Sequence, residues 1–299
     1  MKKLIFGTFT LLYFIFTGCN KDMTIPVYFQ IDSVDFAADY TQYGTASHKI
    51  TDVWVSVNGV GVGVYELPAK FPVLASGQAK IQLSPGIMMN GLSSKRPNYP
   101  LYTTYITNLN LEKKQTYRFN PTFTYEKYVQ LAFMEDFEDA GIKFEQIENS
   151  PSIQKTGDES SLFHYPGEIN NYSGIVNITD TNANFFEIHT IESFPYNYTQ
   201  TKYCFLELNY KYKVSNKNDS TNLEVGIYVK RTTGNTEQCP IIRIKHTDTW
   251  KKMYINLTEI INKQGLYLSS FTIYIKGTTQ AGGTATFLFD NIKLMYVSI

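Results

Sequence analysis

Apolar and polar positions alternate along most of the chain after residue 25, a period of two that predicts strands. Val27, Phe29 and Ile31 alternate with Tyr28, Gln30 and Asp32. Val53, Val55 and Val57 alternate with Trp54 and Ser56, and Asn58-Gly59 follows at once. That dipeptide after an alternating run signals a tight hairpin, returning here through Val60 to Tyr65. Further strands are expected at 79–83, 102–109 and 116–125, with Pro68, Pro72, Pro85-Gly86, Asn90-Gly91, Pro97 and Pro100 marking turns between them. No apolar run of helical period interrupts this stretch. Six or seven short strands in roughly a hundred residues predict an immunoglobulin-like or transthyretin-like sandwich over residues 25–127.

The block from 128 to 299 repeats the pattern with longer strands. Leu206, Leu208, Tyr210, Tyr212 and Val214 share one face, and Glu207, Asn209, Lys211 and Lys213 the other. Leu223, Val225, Ile227 and Val229 form a second such face, and Phe271, Ile273 and Ile275 a third. One helical turn is expected over Thr258–Asn262, with Thr258 as its cap. A last strand runs from Thr284 to Val297. About eight to ten strands with one helical turn predict a jelly roll. The fold class is therefore all-β, two sandwiches in tandem.

The first nineteen residues follow a different rule. Lys2 and Lys3 precede an apolar run from Leu4 to Phe16, then Thr17-Gly18-Cys19. A basic start, a short apolar stretch and small residues before a cleavage point describe a secretory signal peptide. The run is shorter than the roughly 20 residues that span a bilayer. Phe16-Thr17-Gly18-Cys19 resembles the bacterial lipobox, which implies that residues 1–18 are removed and Cys19 is lipidated. Residues 19–24 then form a tether. Asn20-Lys21-Asp22 looks like the signal that sends lipoproteins of the Bacteroidetes to the outer face of the outer membrane. The implied address is the cell surface, held to the membrane by the N-terminal lipid, with each buried methylene contributing about 0.8 kcal/mol.

Charge adds an exclusion. The 27 basic and 27 acidic side chains balance, so the chain has no long-range field to gather nucleic acid. Abundant Tyr and Phe, 23 and 20 residues, fit half-buried pleated surfaces and support the strand assignment. Once Cys19 is set aside, Cys204 and Cys239 remain. In an exported protein they either close a disulfide or stay as buried thiols.

The second block also resembles the galactose-binding-like jelly rolls, a group rich in carbohydrate-binding modules. The likeness rests on Phe133–Asp139 (FMEDFED), Trp250–Leu257 (WKKMYINL) and Phe287–Leu294 (FLFDNIKL). It implies a structural calcium where the first and last strands meet, with Glu138 and Asp290 as ligands and backbone carbonyls completing an oxygen shell. By strand alternation Asp290 faces the same way as Leu288, Ile292 and Leu294, where a carboxylate needs a partner. The alternative is that Asp290 caps a turn or pairs with a lysine. For ligand contact the candidate is Phe194–Thr199, in which Tyr196, Asn197 and Tyr198 offer rings for sugar C–H faces and an amide for hydroxyls. Asn98–Tyr102 is a weaker candidate of the same kind, and interstrand packing is the alternative for both.

Catalytic patterns are missing. The four histidines show no metal-ligand spacing, and no Gly-x-Ser-x-Gly elbow or phosphate-binding glycine loop occurs. The acidic run Glu135–Asp139 lacks the Glu-x-Asp-x-x-Glu spacing of familiar jelly-roll glycoside hydrolases. The expectation is a non-catalytic surface lipoprotein that binds glycan through its jelly roll, with the small sandwich as a spacer. The alternative is a structural or adhesive envelope protein that engages another protein.

Overall fold

The structure, a computed structural model, describes residues 25–179, 184–195, 201–215 and 221–298. The first module contains β1 (Val27–Ile31), β2 (Asp35–Phe36), helix α1 (Tyr40–Tyr43), β3 (Asp52–Val57), β4 (Val60–Glu66), β5 (Ala69–Val73), β6 (Gly77–Gly86), β7 (Tyr105–Leu111), β8 (Thr116–Phe119) and β9 (Thr122–Phe123). A three-stranded sheet ordered β5-β1-β8 faces a four-stranded one ordered β4-β3-β6-β7. Alternation does the sorting. Val27, Phe29 and Ile31 meet Val53, Val55, Val57, Ile81 and Leu83 in one buried cluster. The β3–β4 hairpin turns at Asn58 (φ 52°) and Gly59 (φ 79°), both left-handed as a two-residue turn of type I′ requires.

The second module contains β10 (Val129–Glu135), β11 (Phe144–Gln146), β12 (Gln154–Thr156), β13 (Ser173–Ile178), β14 (Phe185–Thr190), β15 (Phe194–Pro195), β16 (Thr201–Val214), β17 (Asn222–Arg231), β18 (Thr236–Ile244), β19 (Thr247–Asn256), helix α2 (Thr258–Gln264), β20 (Leu268–Thr278) and β21 (Ala285–Ser298). One sheet is ordered β12-β13-β21-β16-β19, with β10 also on β21. The other is ordered β11-β14-β20-β17-β18, with β15 also on β20. Every pairing in both is antiparallel. The inner faces are the predicted ones: Leu206, Leu208, Tyr210 and Tyr212 pack against Leu223, Val225, Ile227, Phe271, Ile273 and Ile275. Each such side chain, once buried, stabilises the fold by about 1.5–3 kcal/mol relative to exposure. No helix among the described residues is long and apolar enough to cross a membrane.

Alternation fails at one informative place. Phe287 and Phe289 point into the core, and so do Ile292 and Leu294, so the phase slips by one residue between them. Asn291 has a left-handed backbone (φ 49°), and the β16 register shifts between Glu207 and Asn209 opposite it. This bulge turns Asp290 away from Ile292 and Leu294, contrary to the sequence expectation. A smaller departure concerns Thr258. Its hydroxyl donates to the Cys204 carbonyl and accepts from the Cys204 amide, which ties α2 to β16, and it does not cap the helix.

The modules are not separated by a spacer-like arrangement. A third apolar cluster joins Phe36, Tyr43, Ile87, Tyr99, Tyr102 and Tyr125 of the first to Phe205, Tyr254, Met295 and Val297 of the second. The small module thereby covers the outer face of the β16–β21 sheet. Tyr99 and Tyr125 donate to the two oxygens of Glu207 at 2.8 and 3.1 Å, and Lys252 Nζ lies 2.9 Å from the same carboxylate. Lys293 Nζ donates to the Thr45 carbonyl at 2.5 Å, Thr45 Oγ1 to Asn291 at 2.8 Å, and Ser47 Oγ to Asn209 at 3.0 Å. Burial works against the Glu207 charge, yet Lys252 and Lys293 hold its carboxyl below the ordinary range. Lys293 is the strained member. Burial, reinforced by Lys252, pushes its ammonium down to about 7.

Candidate functional site

The other outer face of the jelly roll, on the sheet β11-β14-β20-β17-β18, carries a polar constellation in which Glu187, Glu224 and Tyr274 are buried while Tyr228, Lys276, Gln238 and Arg243 reach solvent. Its architecture follows from register. Glu187 of β14 pairs with Lys276 of β20, which pairs with Glu224 of β17, which pairs with Arg243 of β18. Directly opposed side chains share a face, so four strands lay down one row of alternating charge. Lys276 Nζ stands 3.0 Å from Glu187, and Arg243 Nε 2.9 Å from Glu224.

A row of rings lies beside it. His189, Tyr274 and Gly226 are cross-strand partners, and Tyr228 pairs with Thr272 and Gln238 in the next row. Tyr274 lies across Gly226, where a Cβ would come within 2.5 Å of its ring, so this strand position needs a residue without a side chain. Tyr228 packs 5.1 Å from Tyr274 at 46°. Tyr274 donates its hydroxyl to Glu224 at 2.9 Å, and Tyr228 donates to Glu187. Gln238 reaches the Tyr228 hydroxyl at 3.3 Å. Burial, and then the adjacent carboxylates, push both phenols far above their ordinary range, so they stay protonated donors. The carboxylates therefore hold rings, and each also has a cation.

Sequence reasoning missed this face. Its signal was present in the off-phase residues of the strands read only for their apolar side: Glu224, Gly226 and Tyr228 between Leu223 and Val229, and Tyr274 and Lys276 beside Ile273 and Ile275. A glycine between polar residues on an otherwise strong strand marks a close approach of another group.

The predicted site residues fare differently. Cys19 lies outside the described residues, and so do Tyr196, Asn197 and Tyr198. Phe194 beside them is core, packed on Phe133 and Phe271. A cavity of about 470 Å³ opens next to it, lined in part by Phe271, Leu294, Tyr296 and Cys204. Tyr99 is fully buried at the junction between modules and presents nothing to solvent. Cys204 and Cys239 are both free thiols, buried in the jelly-roll core, so the disulfide alternative does not hold. Burial raises both, Cys204 to about 12.

Glu138 and Asp290 grip the same short segment. Glu138 accepts from the amides of Asn171 and Tyr172 at 2.8 and 2.9 Å and from Asn171 Nδ2 at 2.8 Å. Asp290 accepts from Ser173 Oγ at 2.5 Å, Asn170 Nδ2 at 3.0 Å and the Asn291 amide at 2.8 Å. A calcium ion needs oxygen atoms at these positions, and the carboxylates meet N–H and O–H donors. Nearby carbonyls are also taken: Lys143 donates to Met134 at 2.8 Å and Lys155 to Asp139. Among the described residues no group of three or more His, Cys, Asp or Glu is gathered to hold a metal. The residues as arranged do not fit the expected calcium site; they form a hydrogen-bonded clamp. Burial pushes Asp290 up to about 7, against the pull of its donors.

No protein-family model matches the chain, and no curated protein sequence does. Solved structures do match in shape. The xylan-binding domain CBM22-1 of Paenibacillus barcinonensis Xyn10C is 12% identical, covers 58% of this chain and 99% of its own, and has a TM-score of 0.38. A family 11 carbohydrate-binding module from Clostridium thermocellum, solved with a β-1,3-1,4-mixed-linked tetrasaccharide, is 13% identical, covers 56% and 94%, and has a TM-score of 0.37. The all-β assignment rests on the sheets described above, and the chemistry of the site on its own residues.

Proposed function

We propose that this protein is a non-catalytic glycan-binding lipoprotein of the cell envelope, presented at the surface, and that it holds its ligand on the outer face bearing Tyr228, whose half-buried ring packs on the fully buried Tyr274. One observation carries the reading: the half-buried ring of Tyr228, held against buried Tyr274, lies beside the exposed Gln238 and Arg243, with Glu187 and Glu224 each matched by a cation. Neutral sugars need this combination, because their rings present C–H faces and their rims present hydroxyls. The Tyr228 ring, already anchored by Glu187, loses little freedom on binding. Gln238 and Arg243 are exposed and supply donors at the edge. The envelope address comes from Met1–Cys19, through its likeness to a lipoprotein leader.

A glycan array probed with the soluble protein tests the assignment. Wild type is expected to bind a subset of neutral polysaccharides, and Y228A to weaken that binding about tenfold, worth about 1.4 kcal/mol. Equal binding by Y228A, or silence across the array with a co-purifying envelope protein, overturns it.

A further inference from the structure

We propose that the outer face of the sheet β4-β3-β6-β7 is a second carbohydrate-contact surface, centred on Trp54 and suited to an uncharged polysaccharide chain. The inference rests on the glycan-binding reading above and extends it to the small module.

Trp54 sits on β3, an interior strand, between Val64 of β4 and Ser84 of β6. Alternation sends Val53 and Val55 inward and Trp54 out, where it is 41% exposed. An exposed indole on a sheet would ordinarily move among rotamers. This one is held. Its N–H donates to the Arg96 carbonyl at 3.2 Å, and its five-membered ring lies against Gly86, where a Cβ would come within 3.3 Å. The segment that supplies the carbonyl is pinned in turn, because Arg96 binds Asp52 at 2.6 Å and Glu66 at 3.0 Å. The chain's other tryptophan shows the contrast: Trp250 donates to the Leu162 carbonyl and packs on Phe163, half-buried in the jelly roll.

The surroundings of Trp54 decide the ligand class. Ser84 and Thr104 share a hydrogen bond of 2.8 Å on one side, and Ser56 meets Gln82 at 3.4 Å on the next row. Arg96, whose carbonyl holds the indole, pairs with both Asp52 and Glu66, which leaves one negative charge in excess at this edge. A fixed ring bordered by hydroxyls and an amide complements a neutral pyranose on both its C–H face and its hydroxyl rim. An anionic membrane or an acidic polymer would meet an excess of carboxylate where Asp52 and Glu66 share Arg96.

The test is affinity electrophoresis of the whole protein through gels containing arabinoxylan, mixed-linkage β-glucan or galactomannan, comparing wild type, W54A and Y228A. Trp54 is outside the core, so W54A is expected to melt with wild type while its retardation by the retained polysaccharide weakens at least about tenfold. W54A running as wild type in a gel that retards wild type overturns the inference and leaves the jelly-roll site standing if Y228A is weakened. Loss in W54A with Y228A unchanged supports this surface and removes the other. Wild type unretarded by any of the three polymers overturns both.

Discussion

The jelly roll has two outer faces, and both present a glutamate that accepts from tyrosine hydroxyls and pairs with a lysine. On the β16–β21 sheet the glutamate is Glu207, and its tyrosines, Tyr99 and Tyr125, belong to the other module. On the β17–β20 sheet the glutamates are Glu187 and Glu224, and their tyrosines come from the same sheet. The first face uses the chemistry to hold two modules together and shuts water out. Lys252 there retains 2% of its side-chain exposure, against 32% for Lys276 and 75% for Arg243 on the second face. The same residue types thus make a joint where the small module covers them and a solvent-reached face where it does not. Solvent access of the cations is the deciding variable.

That difference can be broken most severely at Glu207. E207A strands Lys252 and Lys293 without their counter-charge in a dry junction, and is expected to destabilise by about 3–5 kcal/mol in urea unfolding. E187A leaves Lys276 free to reach water but removes the buried acceptor of Tyr228 and Gln238, and is expected to cost about 1–3 kcal/mol, less than E207A, while weakening glycan retention. Equal losses from the two would erase the distinction between joint and surface.

The junction side also has a pH signature. Asp290 is raised when folded, so its contribution is full below the unfolded value of 3.8 and is lost as pH rises to about 7. Lys293 is depressed, so its contribution is full above 10.5 and is lost as pH falls to about 7. Together they predict a shallow minimum in melting temperature near neutrality. D290N should flatten the acid limb and K293M the alkaline one, each by a few kcal/mol at most, since a tenfold change in proton affinity is worth about 1.4 kcal/mol. A profile unchanged in both variants would mean that neither group is desolvated as described.

The smallest expected effect is none at all. With Lys143 and Lys155 on the carbonyls beside Glu138, calcium and a chelator should give the same melting temperature. A calcium-dependent rise would restore the metal site that the sequence suggested.

The inner faces were legible in the sequence because a period of two needs only neighbours along the strand. Leu206, Leu208, Leu223 and Val225 could be placed from local spacing, and so could the turn at Asn58-Gly59. Asp290 was misplaced because a single left-handed residue, Asn291, slips the phase, and asparagine tolerates that conformation without announcing it. The burial of Glu207, Asn209 and Lys293 was invisible for another reason. Their covering residues, Thr45, Ser47, Tyr99 and Tyr125, lie 82 or more positions away in the chain. The open face was overlooked because polar residues on a strand look the same whether they are solvated singly or joined across four strands.

The placement of β21 bears on the order of assembly. This strand, residues 285–298, lies at the centre of its sheet, with β16 along one side and β13 and β10 along the other. Most of those contacts span very long stretches of chain, so their loop-closure entropy falls due before much local structure can offset it. Until Ala285–Ser298 is available, the sheet under the small module has a gap in its middle, and Lys293 cannot reach Thr45. The junction between the modules therefore depends on this strand, while the small module's own sandwich core draws on none of its residues.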